Sequence, residues 1–269
     1  MDKITVKKAN GELEKFSEEK VRSSLKRAGA KPEIINKILS QLIGKLRDGI
    51  TTKEIYRQVY ALFNQYQAGK GYRYSLKPAL MQLGPSGYPF EKFIARLLDH
   101  LGYQTQVGVI LTGKCIEHEV DVDAKKGNQR FMIECKFHNR AGTKTRSKEA
   151  LYTQARFDDL TDHFSQPWLV TNTKLTTSAI KYAECKNMHL LAWRYPEKGS
   201  LEQLIEQNNL HPLTCFSFLD RHDRQLLFQN DLVLCQDLSK AGDKKLSSIG
   251  INSAKITQIN QALSQLNHQ

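Results

Sequence analysis

Apolar and polar positions follow two rhythms along this chain, and the changes of rhythm divide it. Ile4-Thr5-Val6 and Leu13-Glu14 flank Asn10-Gly11, a hairpin turn signal. Phe16-Ser17-Glu18-Glu19-Lys20-Val21 then opens a helix, with Ser17 as N-cap and two acids in the first turn. After Lys31-Pro32-Glu33, the apolar residues Ile34, Ile35, Ile38, Leu39, Leu42, Ile43 and Leu46 recur at helical spacing. Thr51-Thr52-Lys53-Glu54-Ile55 begins a third helix through Tyr56, Val59, Tyr60 and Phe63. The run from Tyr72 to Leu83 ends this small ββααα module, and Gly84-Pro85-Ser86-Gly87 breaks the chain.

The rhythm then shortens to two. Glu119-Val120-Asp121-Val122-Asp123 and Phe131-Met132-Ile133-Glu134-Cys135-Lys136-Phe137 read as strands joined by Ala124 to Arg130, with Gly127-Asn128 at the turn. Side chains two apart on a strand share a face. Glu119, Asp121 and Asp123 therefore take one side, with Val120 and Val122 on the other. Glu134, Lys136 and His138 share a face, opposed by Ile133, Cys135 and Phe137. Acids alternating with valines also suit the wet face of a half-buried sheet. The second strand, however, is apolar on both sides except at Glu134 and Lys136, which suggests a central strand. A charge there is costly unless it is paired or binds metal. If the polar faces coincide, Asp121 and Glu134 converge with Lys136 beside them, as a divalent-metal site requires.

Asp121, twelve intervening residues and then Glu134-Cys135-Lys136 resemble the Asp…Glu-x-Lys core of the PD-(D/E)xK restriction-endonuclease-like nucleases. Upstream, Gly87 to Leu98 followed by Leu101-Gly102-Tyr103 is similar to the opening helix and turn of the type IV (Mrr-like) branch, whose acidic helix residue matches Glu91. Leu151-Tyr152-Thr153-Gln154-Ala155 falls where that branch carries a glutamine-bearing helix. Trp168 to Thr173, then Thr177 to Ala183, resemble its third strand and following helix. The likeness covers about residues 85 to 200. It implies Mg2+ held by Asp121, Glu134 and the Cys135 carbonyl, the hard oxygen donors that this ion prefers. Lys136 would orient water or stabilise charge, and Glu91 and Gln154 would join the catalytic set. Glu91 and Gln154 equally suit solvated helix faces, and His118 and His138 read as flanking residues.

The first module resembles the ATP-cone, the nucleotide-binding regulatory domain of ribonucleotide reductases and their repressor. The matching residues are Val6-Lys7-Lys8-x-x-Gly11, Phe16-Ser17-x-x-Lys20-Val21 and Ile50-Thr51-Thr52-x-x-Ile55-Tyr56. The resemblance implies ATP or dATP as effector, with Val6, Lys7, Lys8 and Lys20 at the phosphates and Thr52 near the nucleotide. The family has Lys-Arg where this chain has Lys7-Lys8, which keeps the charge and loses a bidentate phosphate fork. No Walker-A or Gly-x-Gly-x-x-Gly motif occurs.

Charge follows the same division. Residues 1–85 carry 17 Lys/Arg against 8 Asp/Glu, residues 86–200 carry 17 against 13, and residues 201–269 carry 6 against 7. The excess favours polyanions, nucleotide or DNA phosphate. The basic run Lys136, Arg140, Lys144, Arg146 and Lys148, broken by Gly142, reads as a mobile loop able to reach a DNA backbone. Five cysteines without Cys-x-x-Cys argue against a disulfide framework or zinc knuckle. No apolar run nears the ~20 residues that span a bilayer, so no membrane partner and a cytoplasmic location are expected. Beyond residue 200, Leu201 to Ile205 starts a helix, and Leu226 to Leu234 suits helix or strand. Leu246 to Ile251 with Ala254 to Ile259 resembles a helix–turn–helix pair, fitting a packing tail or oligomerisation segment better than a DNA hairpin.

The expected architecture is α/β. Residues 1–84 form a small mixed α+β ATP-cone-like domain, 85–200 a restriction-endonuclease-like mixed sheet flanked by helices, and 201–269 a mostly helical extension. The expected activity is nucleotide-regulated, Mg2+-dependent DNA cleavage within a homo-oligomer. The alternative is a nucleotide-responsive DNA-binding regulator on an inactive nuclease scaffold.

Overall fold

The computed structural model describes residues 4–9, 11–67 and 74–267; Asn10 of the expected turn and Tyr72 and Arg73 lie outside them. The first module is a three-stranded sheet in the order β2-β1-β3, formed by β1 (Thr5–Lys7), β2 (Leu13–Lys15) and β3 (Ile50–Thr51). Helices α1 (Glu18–Arg27), α2 (Pro32–Ile43) and α3 (Thr52–Tyr66) cover it. Each helix starts at a local signal. The Ser17 hydroxyl accepts from the Lys20 N–H, Pro32 occupies the first turn of α2, and Thr51 with Glu54 forms a capping box. Val6, Leu25, Ile38, Leu42, Val59 and Phe63 close a core belonging to this module alone. Leu46, expected to continue α2, lies beyond its end because the helix stops at Gly44.

The second part is built on a five-stranded sheet, β10-β8-β6-β5-β4. The strands are β4 (Gln104–Thr112), β5 (Glu117–Lys126), β6 (Gln129–Lys136), β8 (Gln166–Thr171) and β10 (His189–Leu191). β4, β5 and β6 run antiparallel, while β6, β8 and β10 run parallel. β6 is the central strand, as its two apolar faces demand. The basic segment after Lys136 is anchored rather than a plain loop, since β7 (Lys144–Thr145) pairs with β9 (Lys174–Leu175).

Adjacent residues of β6 face different layers. Ile133 packs with Phe90, Phe93 and Ile94 of helix α5 (Tyr88–His100). Met132 packs with Leu160 and Phe164, at and just beyond the end of helix α6 (Ser147–Asp159). Helix α7 (Thr177–Cys185) lies beside α6, sharing a core of Ala150, Leu169 and Ala179.

The α5 side of the sheet is closed by elements from both ends of the chain. These are α4 (Leu76–Leu80), α8 (Leu201–Gln207), α9 (Arg221–Gln229), α10 (Cys235–Ser248) and α11 (Ser253–Asn267). Leu76, Leu80 and Leu83 share one core with Phe90, Ile133, Phe216, Leu246 and Ile259. The Thr214 hydroxyl bonds the Ala79 carbonyl at 2.8 Å. Leu80→Ala should therefore cost about 2–5 kcal/mol. The five-stranded sheet and the C-terminal helices should still unfold in one transition, read as a lower denaturant midpoint with an unchanged slope.

Candidate active site

Alternation along β5 breaks at Asp121. Val122 faces Ile133 in the α5 core, whereas Val120 packs with Met132 on the α6 side. The expectation that both valines share one face is thereby corrected. The break coincides with Gly108 on the neighbouring strand, whose φ of 66° is left-handed backbone that a side chain resists. The β5–β6 ladder ends at Val122↔Ile133. Beyond it the Asp121 carboxylate takes the place of a backbone partner, accepting the Cys135 N–H at 2.7 Å. The three acids of β5 consequently do not form one row. Asp123 is buried and held by Arg130, whose Nε lies 3.0 Å from both carboxylate oxygens, and Glu119 is exposed.

Asp121, Glu134 and Glu91 are close enough to burden one another electrostatically. Burial, then the charges of Asp121, Glu119 and Glu134, push Glu91 up to about 7. Burial and the Asp121 charge push Glu134 up to about 7, and burial raises Asp121 as well. The Lys136 charge acts on both Asp121 and Glu134 in the opposite sense. Sequence reasoning missed Arg156. This largely buried guanidinium pairs with Glu134 Oε2 and donates to the Glu119 carbonyl, with Tyr152 5.4 Å away. Its only signal was a cation on the helix that carries Gln154.

Gln154 is buried, but its amide donates to Asp158 at 2.7 Å, and its Oε1 has no hydrogen-bond partner. No described bond ties it to the carboxylates. His118 pairs with Asp159, which also accepts the Cys115 and Ile116 N–H groups and pins the β4–β5 turn. His138 bonds Thr145 through its ring.

The donor chemistry suits magnesium. One oxygen of Asp121 accepts the Cys135 N–H and one of Glu134 accepts Arg156, so each carboxylate keeps a second oxygen for a ligand. The Cys135 thiol is buried and its pKa pushed well up, so it offers no soft thiolate. Among the described residues no three His, Cys, Asp or Glu side chains form a metal-holding group. An ion here would rest on two carboxylates, one carbonyl and several waters, as Mg2+ commonly does.

In the first module Val6 is a core residue, 3 % exposed, so only its backbone is open to a ligand. Lys7 is exposed and stands opposite Thr51 across the β1–β3 pair. Lys8 and Lys20 converge on Glu14, at 3.1 and 2.9 Å. Thr52 is exposed at the first turn of α3. Two lysines thus meet at one carboxylate, in charge-assisted contact.

Two outcomes follow from these charges. Arg156→Met leaves Glu134 without its buried partner and should cost about 3–5 kcal/mol. Mg2+ should raise the melting temperature of that variant more than that of the wild type. Glu91 and Glu134 bind protons more tightly folded than unfolded, so their contribution to stability is complete below pH 4.5 and disappears as pH rises through about 7. Without divalent ions, melting temperature should fall over that window, and less steeply in Glu134→Gln. Stabilisation by Mg2+ should be larger at pH 8 than at pH 6.

Comparison with known proteins fits this division. Residues 4–66 match the ATP cone domain model, residues 84–194 the Mrr catalytic-domain model described as a restriction endonuclease, and residues 211–267 the C-terminal AF1548-like model. An uncharacterized protein of Archaeoglobus fulgidus is 44% identical over 167 residues, 62% of this chain and 95% of its own length. The crystal structure of a protein of unknown function, AF1548, superposes with a TM-score of 0.62 at 40% identity, over 68% of this chain and all of that one. No helix among the described residues is long and apolar enough to cross a membrane. The chain belongs to the family of the uncharacterized Archaeoglobus fulgidus protein, joining an ATP cone to an Mrr-type restriction-endonuclease domain and an AF1548-like C-terminal domain.

Proposed function

We propose that this protein is a Mg2+-dependent DNA endonuclease whose activity responds to ATP or dATP bound by its cone. One observation carries the reading. The Asp121 carboxylate is held at the point where the β5–β6 ladder ends, beside Glu134 and within the field of Lys136. Bound Mg2+ would supply an acidified water and polarisation of the scissile phosphate. The Lys136 ammonium is suited to orient that water or to stabilise charge on phosphate oxygens. Glu91, with a pKa near 7, can exchange a proton at neutral pH. Arg156, paired with Glu134, lowers its pKa against burial and the Asp121 charge, which still win.

The cone reading is supported by Lys8 and Lys20 meeting at Glu14, with Lys7 one strand position away. A homo-oligomer belongs to the reading as well, because Ile110 on edge strand β4 and nearby Ile116 are 66% and 62% exposed. Cytoplasmic location is supported by five free cysteines, two of them exposed.

The test is cleavage of plasmid DNA by purified protein with Mg2+, with and without ATP or dATP. Lys136→Ala should slow cutting about 10²–10³-fold, and Glu134→Ala should abolish it. Cutting that ignores nucleotide would reduce the cone to an assembly module. No cutting of unmodified or methylated plasmid by protein that binds nucleotide would favour the DNA-binding regulator.

A further inference from the structure

The segment between cone and nuclease is built into both. Tyr74 stacks on Tyr56 of α3 at 5.3 Å and 8°, and meets the edge of Phe63 at 6.3 Å. Directly after it, α4 enters the nuclease core through Leu76 and Leu80. From α4, Lys77 passes over the Trp193 ring at 4.5 Å and donates to the Asn172 carbonyl. Met81 receives the Asn172 side-chain N–H at 3.2 Å. A second contact from the cone reaches the same place. Arg27 of α1 pairs with Glu202 at 3.3 Å, and the Glu202 backbone N–H bonds the Trp193 carbonyl at 3.1 Å.

Asn172 is fully buried, and its amide holds the backbone of His138 at both ends. Its Oδ1 accepts the His138 N–H at 2.8 Å, and its Nδ2 donates to the His138 carbonyl at 3.0 Å. The β6–β8 ladder ends at Lys136↔Thr171, and Asn172 directly follows the last residue of β8. A side chain thus continues the ladder where the backbone stops, two residues past Lys136. The linker closes around this point. Asn139 donates to the Pro85 carbonyl at 3.1 Å, and a Cβ on Gly84 would lie 2.7 Å from the Phe137 ring.

We propose that Asn172 is a positioning residue for Lys136 and that α4, through Lys77 and Met81, sets Asn172 according to the state of the cone. The inference rests on the nuclease and nucleotide reading above and adds the route between its two halves. The α1 contact reaches Trp193 through Glu202, and the α3 contact reaches Trp193 and Asn172 through the short run of chain from Tyr74 to Lys77. Burial lowers the Lys77 pKa to about 7, so a neutral side chain of similar length is tolerated there.

The experiment uses the full chain and reads backbone hydrogen exchange of residues 136–139 with and without ATP, in wild type, Lys77→Met and Asn172→Ala. Lys77→Met keeps the stem over Trp193 and removes only the donor. In wild type, ATP should alter exchange at 136–139 by severalfold. In Lys77→Met that response should vanish while the cone still binds ATP, seen as protection of residues 5–7 and 50–51. Cleavage by Lys77→Met should stay within about twofold of wild type without nucleotide and no longer respond to it. Asn172→Ala should lower kcat about 10–100-fold with KM for DNA unchanged, and Asn172→Gln should not restore it because its amide sits one carbon further out. ATP protection of the cone without any change at 136–139 overturns the route alone, as does a response retained in Lys77→Met. Wild-type kcat in Asn172→Ala overturns the positioning role. Absence of ATP binding by wild type overturns the nucleotide half of the proposed function and the route together.

Discussion

The site depends on a β ladder that stops early. Past Val122↔Ile133 the two central antiparallel strands no longer bond backbone to backbone, and the Asp121 side chain supplies the missing acceptor. An unpaired Cys135 N–H in a nearly buried strand would cost about 1–3 kcal/mol, so the carboxylate is held there by structure as well as chemistry. With Asp121 fixed, Glu134 and Glu91 lie within its field, and burial raises all three. Arg156 offsets part of that repulsion from the opposite layer. Three half-buried carboxyl groups that resist ionising together are suited to a cation that would relieve their repulsion.

The second constraint is that the α5 face of the sheet cannot be covered by the 85–194 segment alone. Leu76, Leu80 and Leu83 from before the sheet and Phe216, Leu246, Ile251 and Ile259 from after it complete one core. The linker is therefore part of the nuclease wall, and the helices after residue 200 pack as structure. The sequence pattern suggested a packing tail there, but it could not identify the surface covered, because the contacts are distant in sequence, as in the Thr214–Ala79 bond across 135 positions.

Local signals were legible in the sequence. Ser17, Pro32 and Thr51 mark helix starts, Gly127-Asn128 marks the turn, and the apolar faces of β6 mark a central strand. Period-two spacing suggested the Asp121, Glu134 and Lys136 grouping only on the condition that the polar faces of the two strands coincide, and the resemblance to the Asp…Glu-x-Lys nucleases singled it out. What strict alternation hid was the flip at Val120, which depends on Gly108 in another strand. Arg156 was hidden because a helical arginine carries no mark of the layer it enters. Asn172 and Lys77 were hidden because their partners lie 34 and 95 residues away. Val6 is at once a motif position and a core position, which sequence pattern alone does not separate.

The buried core of the cone is drawn from within residues 6–63, with Tyr74 of the linker packed against its edge. The Archaeoglobus relative, by contrast, fits nearly whole within about two-thirds of this chain. A unit that brings its own core can be gained or shed in a gene fusion without opening the nuclease interior, and only the joint must be invented. That joint is short: one small helix, whose edge sets Lys77 and Met81 against Asn172 in the wall of the larger sheet.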